Sequence, residues 1–199
     1  MKNKYIFLIA FILIVIAQLV VPIQMISEQE DTISSGKILK FKTAPIDPYD
    51  AFRGKYIYLN FRDNKTAITK ETQKLSNNDD IFVTFKDSAG YALVASVSVT
   101  EPKDTAEYIK AKVDYVDNMV TLKFIRNPNQ NRQFVYIDYP FDRYYMNEYK
   151  APKAEQAYIE NNKNIKNNVY AEVAIKNGVG VVKDVILDGV SIKEYVNKK

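Results

Sequence analysis

The chain contains no cysteine, no histidine and no tryptophan. The missing cysteine excludes disulfides, thiol nucleophiles and a lipid-modified amino-terminal cysteine, so any membrane attachment has to come from the polypeptide itself. With histidine missing too, there is no Cys/His zinc site and no histidine-based triad. Histidine is also the side chain whose ordinary pKa lies near neutrality. Acid–base catalysis would therefore fall to a carboxylate, lysine or tyrosine with a strongly shifted pKa. There is no D-x-D-x-D-G loop, and carboxylates alone are left to hold a metal ion; no cofactor is expected. A basic stripe is missing as well. The formal net charge of +4 is spread over alternating signs, which does not suit phosphate neutralisation, and no nucleic acid partner is expected.

What the chain does have is a long apolar beginning. Residues 5–23 are nearly unbroken hydrocarbon, interrupted by Gln18 and by Pro22. About nineteen residues at 1.5 Å each reach roughly 28 Å, enough to cross a bilayer core. Lys2 and Lys4 precede the run, and Glu28, Glu30 and Asp31 follow it. The positive-inside rule then keeps the amino terminus cytoplasmic and puts the larger part of the chain on the periplasmic or extracellular side. A cleaved signal peptide shares the basic start, but the run exceeds a signal core and no A-x-A-like site follows it. The expected organisation is a cytoplasmic tip and transmembrane anchor over 1–26, a polar tether over 27–36 and an exported domain over 37–199.

Within that domain the pattern is one of short strands. Residues 37–43 mix apolar side chains with lysines, as an exposed edge strand does, before Pro45 and Pro48 interrupt. From Gly54 the alternation aims Ile57, Leu59 and Phe61 at a core and leaves Tyr56, Tyr58 and Asn60 on a half-wet face. Residues 62–80 read as a long polar loop. Strands follow at 81–85, 91–100, 108–116, 119–125 and 134–139. The pair Asp117-Asn118 reads as a hairpin turn, and Asn127 to Gln133 as another turn cluster. Pro152 opens a short helix that ends near Asn162. Asn177-Gly178 between two apolar runs is the strongest hairpin signal, and Asp188-Gly189 leads to a last strand over 190–196. Fold class is thus mainly β, an antiparallel sandwich or partly open barrel on a single transmembrane helix, with one short soluble helix.

The stretch T-A-P-I-D-P-Y-D-A-F-R-G-K-Y-I-Y-L-N-F, residues 43–61, resembles the GDYXXLXY protein family, named for Gly-Asp-Tyr, two variable residues, Leu, one variable residue and Tyr. Gly54, Tyr56 and Leu59 match, while Lys55 replaces the aspartate and Phe61 the final tyrosine. Arg143 to Glu148 is similar to a second family segment, and the hairpin after Val169 to a third. Family members are membrane-anchored bacterial proteins often encoded beside multi-pass membrane proteins. The resemblance implies that setting and a multi-pass membrane partner, and it brings no enzymatic activity with it. The two replacements fit a packing and turn motif better than a catalytic one, because one reverses a charge and the other removes a hydroxyl.

Candidate interaction residues are Asp47, Pro48, Asp50, Arg53, Gly54, Tyr56, Tyr58 and Leu59 in the first segment, with Arg143, Tyr144, Tyr145 and Glu148 in the second. Asp47, Asp50 and Arg53 read as braces of a structured loop. On a strand Arg143 and Glu148 face opposite ways, which argues against a catalytic pair, and no catalytic residue is assigned. The expected role is a non-enzymatic interaction subunit of a membrane complex in the cell envelope. The alternatives are a module binding envelope glycan or peptide through its tyrosines, and a hydrolase pairing Ser27, Ser34 or Ser35 with a lysine.

Overall fold

A computed structural model of the chain describes residues 2–45, 56–69, 72, 74–105, 107–117, 134–164 and 167–197. It opens with a single helix, α1 (Lys2–Ser35), which continues through Pro22. Its apolar part is long enough to cross a membrane, and none of that hydrophobic window is buried against the rest of the chain. At 1.5 Å per residue the 34 residues extend about 51 Å, against about 30 Å of bilayer hydrocarbon. The surplus is used at the carboxyl end. Residues 27–35, expected as a tether, stay helical and pack on the body, with Thr32 buried.

The body is antiparallel β structure. One four-stranded sheet runs β1 (Lys37–Lys42), β9 (Val169–Lys176), β10 (Val179–Leu187), β11 (Val190–Ser191). A five-stranded sheet has the order β3 (Lys65–Ala67), β7 (Phe134–Asp138), β6 (Tyr108–Asp117), β4 (Asp80–Ser88), β5 (Tyr91–Ser98). A ribbon of β2 (Tyr56–Tyr58) and β8 (Arg143–Tyr145) completes the described strands. The two larger sheets approach on two sides. β1 lies beside β5, and β6 meets the β9–β10 turn through the Ile109–Gly178 bridge. The result is a nearly closed, barrel-like arrangement, so the mainly β expectation holds.

Gly178 shows why that turn suits its place. Asn177 and Gly178 have φ values of 48° and 87°, the left-handed pair that a two-residue hairpin turn requires. Gly178 also exchanges backbone hydrogen bonds with β6, accepting from Lys110 N at 2.9 Å and donating to Tyr108 O at 3.0 Å. A Cβ there would come within 2.9 Å of the Lys110 side chain. Inside, Phe41 of β1 makes edge contacts with Phe61, Phe85, Tyr139 and Phe141 at centroid distances of 5.0–6.1 Å. Such pairs add to the burial of their apolar area.

Other expectations are corrected. The polar stretch after Arg62 contains β3, because Lys65–Ala67 pair with Phe134–Tyr136 at a sheet edge, where an exposed lysine is tolerated and Thr66 is half-buried. The last strand stops at Ser191. From there α3 (Ile192–Asn197) takes over, burying Ile192 and Val196 at helical spacing. Among the described residues there are accordingly two short helices after α1, α3 and α2 (Ala151–Lys163), rather than one. The strand expected at 119–125 and the turn at 127–133 lie outside the described residues.

The joint between α1 and the sheet is tight at Gly36. Its N–H donates to Thr32 O at 2.9 Å, and a Cβ would sit 2.4 Å from that oxygen and 3.0 Å from Ile175 O. Both obstacles are backbone and cannot rotate away. The last turn of α1 has no basic residue of its own; Lys176 of β9 supplies one, its Nζ 2.7 Å from Asp31 Oδ2 and 2.8 Å from Ser35 Oγ. A cation beside a helix carboxyl terminus is favourable. Gly36→Val is expected to destabilise the chain by about 1–3 kcal/mol in denaturant titrations. Lys176→Met, which removes a partly exposed ion pair, should cost under about 1 kcal/mol and lose its effect in high salt.

Candidate functional site

Of the candidate residues, Asp47, Pro48, Asp50, Arg53 and Gly54 lie outside the described residues. The rest converge. β2 pairs antiparallel with β8, setting Tyr56 against Tyr145, Ile57 against Tyr144 and Tyr58 against Arg143. The two segments singled out in the sequence, more than eighty positions apart, are therefore neighbours in one ribbon. Leu59 continues the contact, its N–H donating to Asp142 O at 2.7 Å. As the alternation requires, Ile57 and Leu59 are buried while Tyr56 and Tyr58 stay half-buried.

The outward face of the ribbon carries a compact aromatic and cationic group. The Tyr56 and Tyr145 rings lie 5.6 Å apart, and the Arg143 guanidinium sits 5.2 Å from the Tyr56 centroid. A hydrogen bond with Tyr145 and the nearby Asp142 carboxylate, 3.6 Å away, hold the guanidinium firmly charged. Tyr145 remains 65% exposed and Tyr149, just beyond, 87%. Tyr144 belongs to the other side. It is buried, its hydroxyl donates to Asp184 Oδ1 at 3.1 Å, and burial followed by the Asp184 charge pushes its pKa up. That removes Tyr144 from any outward aromatic groove. Glu148 lies past the end of β8, exposed in the turn before α2, so it is not on a strand with Arg143 at all. There the Asn147 carboxamide accepts Tyr149 N–H at 3.0 Å, and Asn147 O accepts the N–H groups of Lys150 and Ala151.

Two recesses flank Arg143. One, of about 440 Å³, is walled by Asn60, Asn64, Asp114, Asp138 and Asp142. Burial first, then the Asp142 and Asp114 charges, raise the Asp138 pKa above the ordinary carboxylate value. Among the described residues no cluster of three or more Asp or Glu is placed to hold a metal ion. The other recess, of about 530 Å³, lies between the outer end of α1, β8, β10 and α3. Gln29 and Ile33 form its helical wall, and Arg143, Lys183 and Lys193 supply its charge. Nothing in the local sequence marks Lys183 or Lys193, because the recess they face is completed by α1 and β8, which come from distant parts of the chain.

The serine–lysine expectation finds one geometric match, Ser35 with Lys176 at 2.8 Å. A lysine base has to lose its proton, which needs burial away from carboxylates. Lys176 instead bonds Asp31 at 2.7 Å, and Ser35 donates to Asp31 O at 2.8 Å. The group braces the end of α1.

The raised Asp138 pKa has a defined sign for stability. Ionisation is harder in the folded chain than in the unfolded one, so the carboxylate weakens folding at neutral pH and ceases to do so once it is protonated in both states. Asp138→Asn is expected to raise the thermal midpoint at neutral pH. The gain should shrink as pH falls through the folded pKa and vanish below about 3.9, as read from melting curves across pH.

The family model described as GDYXXLXY protein matches residues 18–185. That interval takes in the outer part of α1, both strands of the ribbon and the β9–β10 hairpin. No curated protein and no solved structure matches significantly. With most of its length matched in this way, the chain belongs to the GDYXXLXY protein family.

Proposed function

We propose that this protein is a single-pass membrane-anchored subunit that works by binding, its β body held on the outer side and its β2–β8 ribbon docking on a multi-pass membrane partner. The observation that carries this reading is the exposed ring of Tyr145, resting on Tyr56 beside the Arg143 guanidinium. Tyrosine and arginine dominate the energetic centres of protein interfaces, and a rigid, solvent-exposed group of both is suited to that use. The unburied apolar helix supports the anchor. Lys2 and Lys4 before it, with acidic residues after it, support an outward body. The close joint at Gly36 supports a body held near the bilayer, where a partner in the same membrane would meet the ribbon.

Photo-crosslinking in intact membranes tests this. A probe at Tyr149 should capture a membrane protein. Tyr145→Ala should weaken that capture by about thirtyfold, as loss of an interface centre does, while shifting stability by no more than about 0.5 kcal/mol. An unchanged crosslink would remove the ribbon from the interface. Retention on isolated cell-wall polymer, with no protein captured, would favour the glycan- or peptide-binding reading.

A further inference from the structure

The recess between α1, β8, β10 and α3 has a composition of its own. Among the described residues it is lined by three cations, Arg143, Lys183 and Lys193, and by no carboxylate, with Phe141 and Val182 beside the helical Ile33 as its apolar part. Four acids of the surrounding elements are engaged elsewhere. Asp184 accepts the Tyr144 hydroxyl and its neighbour's N–H, Asp142 pairs with Arg143, and Glu28 and Asp31 line a separate recess on the other flank of α1. Because Asp142 already offsets much of Arg143, the uncompensated charge falls on Lys183 and Lys193.

Lys183 is placed by a fold irregularity. In the β9–β10 pairing Val182 faces Val173 and Asp184 faces Glu172, so Lys183 is the extra residue of a bulge. Bulges re-aim a side chain next to functional sites. Here the bulged residue is exposed and lines the recess. Lys193 reaches the same space from α3, its Nζ 5.5 Å from the Tyr144 ring centroid.

The height of the recess follows from α1. The exposed apolar run ends at Ile26, and Gln29 and Ile33 lie one and two turns beyond it. At 1.5 Å per residue these walls stand about 5 and 10 Å past the hydrocarbon edge, within or just above the headgroup layer. The exposed Tyr145 ring on the rim suits that interface.

We propose that this recess is a binding site for the phosphate headgroup of an anionic phospholipid in the leaflet where α1 ends, with Lys183 and Lys193 holding the phosphate and the apolar part meeting the upper acyl chain. The inference rests on the anchored reading of α1 but not on the ribbon's partner. Its size is ordinary for a small-ligand cleft. A lipid is the source that fits, because the cationic and apolar parts occur together at headgroup height.

The full chain, reconstituted in nanodiscs of equimolar phosphatidylcholine and phosphatidylglycerol, tests it by native mass spectrometry. Phosphatidylglycerol should be retained over phosphatidylcholine, and K183Q/K193Q should lower that retention by about thirtyfold, the effect of two lysines near an anionic surface. The melting temperature should stay unchanged, and millimolar glycerol phosphate should not displace the lipid. Equal retention of both lipids, or no loss in the double variant, overturns the lipid site and leaves the anchor standing. Displacement by glycerol phosphate overturns the lipid as the source. A chain recovered free of membranes after cleavage near Ala17 overturns the anchor, and this inference with it.

Discussion

The close approach of the helix end to β9 at Gly36 is the constraint on which the rest depends. A helix leaving a membrane can end in a flexible segment, and then the body it carries has no fixed height. Here the N–H of Gly36 closes on Thr32 O, and the absent Cβ lets the chain pass against Ile175 before entering β1. Lys176, from the strand just reached, returns to the carboxyl end of the helix and bonds Asp31 and Ser35. Helix and sheet thus brace each other over a few residues. Four residues into β1, Phe41 is already the hub of the aromatic core.

Closure of the sheets then sets where the polar chemistry can be. With β1 beside β5 and the Asn177-Gly178 turn bonded to β6, the two larger sheets meet along both seams. The β2–β8 ribbon is left at the margin with its own alternation. Ile57 and Tyr144 go inward, while Tyr56, Tyr145 and Arg143 go outward. The inward tyrosine is not idle. Its hydroxyl reaches Asp184 next to the bulge in β10, which links the ribbon to the strand that shapes the neighbouring recess.

Charge separates the surroundings of Arg143 into two regions. On one side Asp114, Asp138 and Asp142 crowd together, and burial with mutual repulsion makes Asp138 reluctant to ionise. On the other, Lys183 and Lys193 face a recess with no carboxylate among its described lining residues. Arg143 sits between, its guanidinium over Tyr56 and toward Asp142. A partner on the ribbon and a headgroup in the recess would each meet a surface whose polarity is set by this division.

How much was legible in the sequence depended on whether the signal was local. The apolar helix, the edge character of β1, the inward set Ile57, Leu59 and Phe61, and the left-handed turns at Asn177-Gly178 and Asp188-Gly189 all follow from periodicity or from backbone chemistry within a few residues. The family segments were readable for the same reason, as short runs of residue types. Local pattern failed where packing outweighed it: 27–35 stay helical because the sheet accepts them, and 192–197 coil because Ile192 and Val196 find a core at helical spacing. The pairing of Tyr56 with Tyr145, the burial of Tyr144, the bulge at Lys183 and the meeting of Lys183 with Lys193 belonged to the tertiary structure alone. The ribbon and the burial of Tyr144 join segments far apart in the chain, while the bulge and the two lysines, ten positions apart, depend on how β10 and α3 pack; composition and spacing carry no information about either.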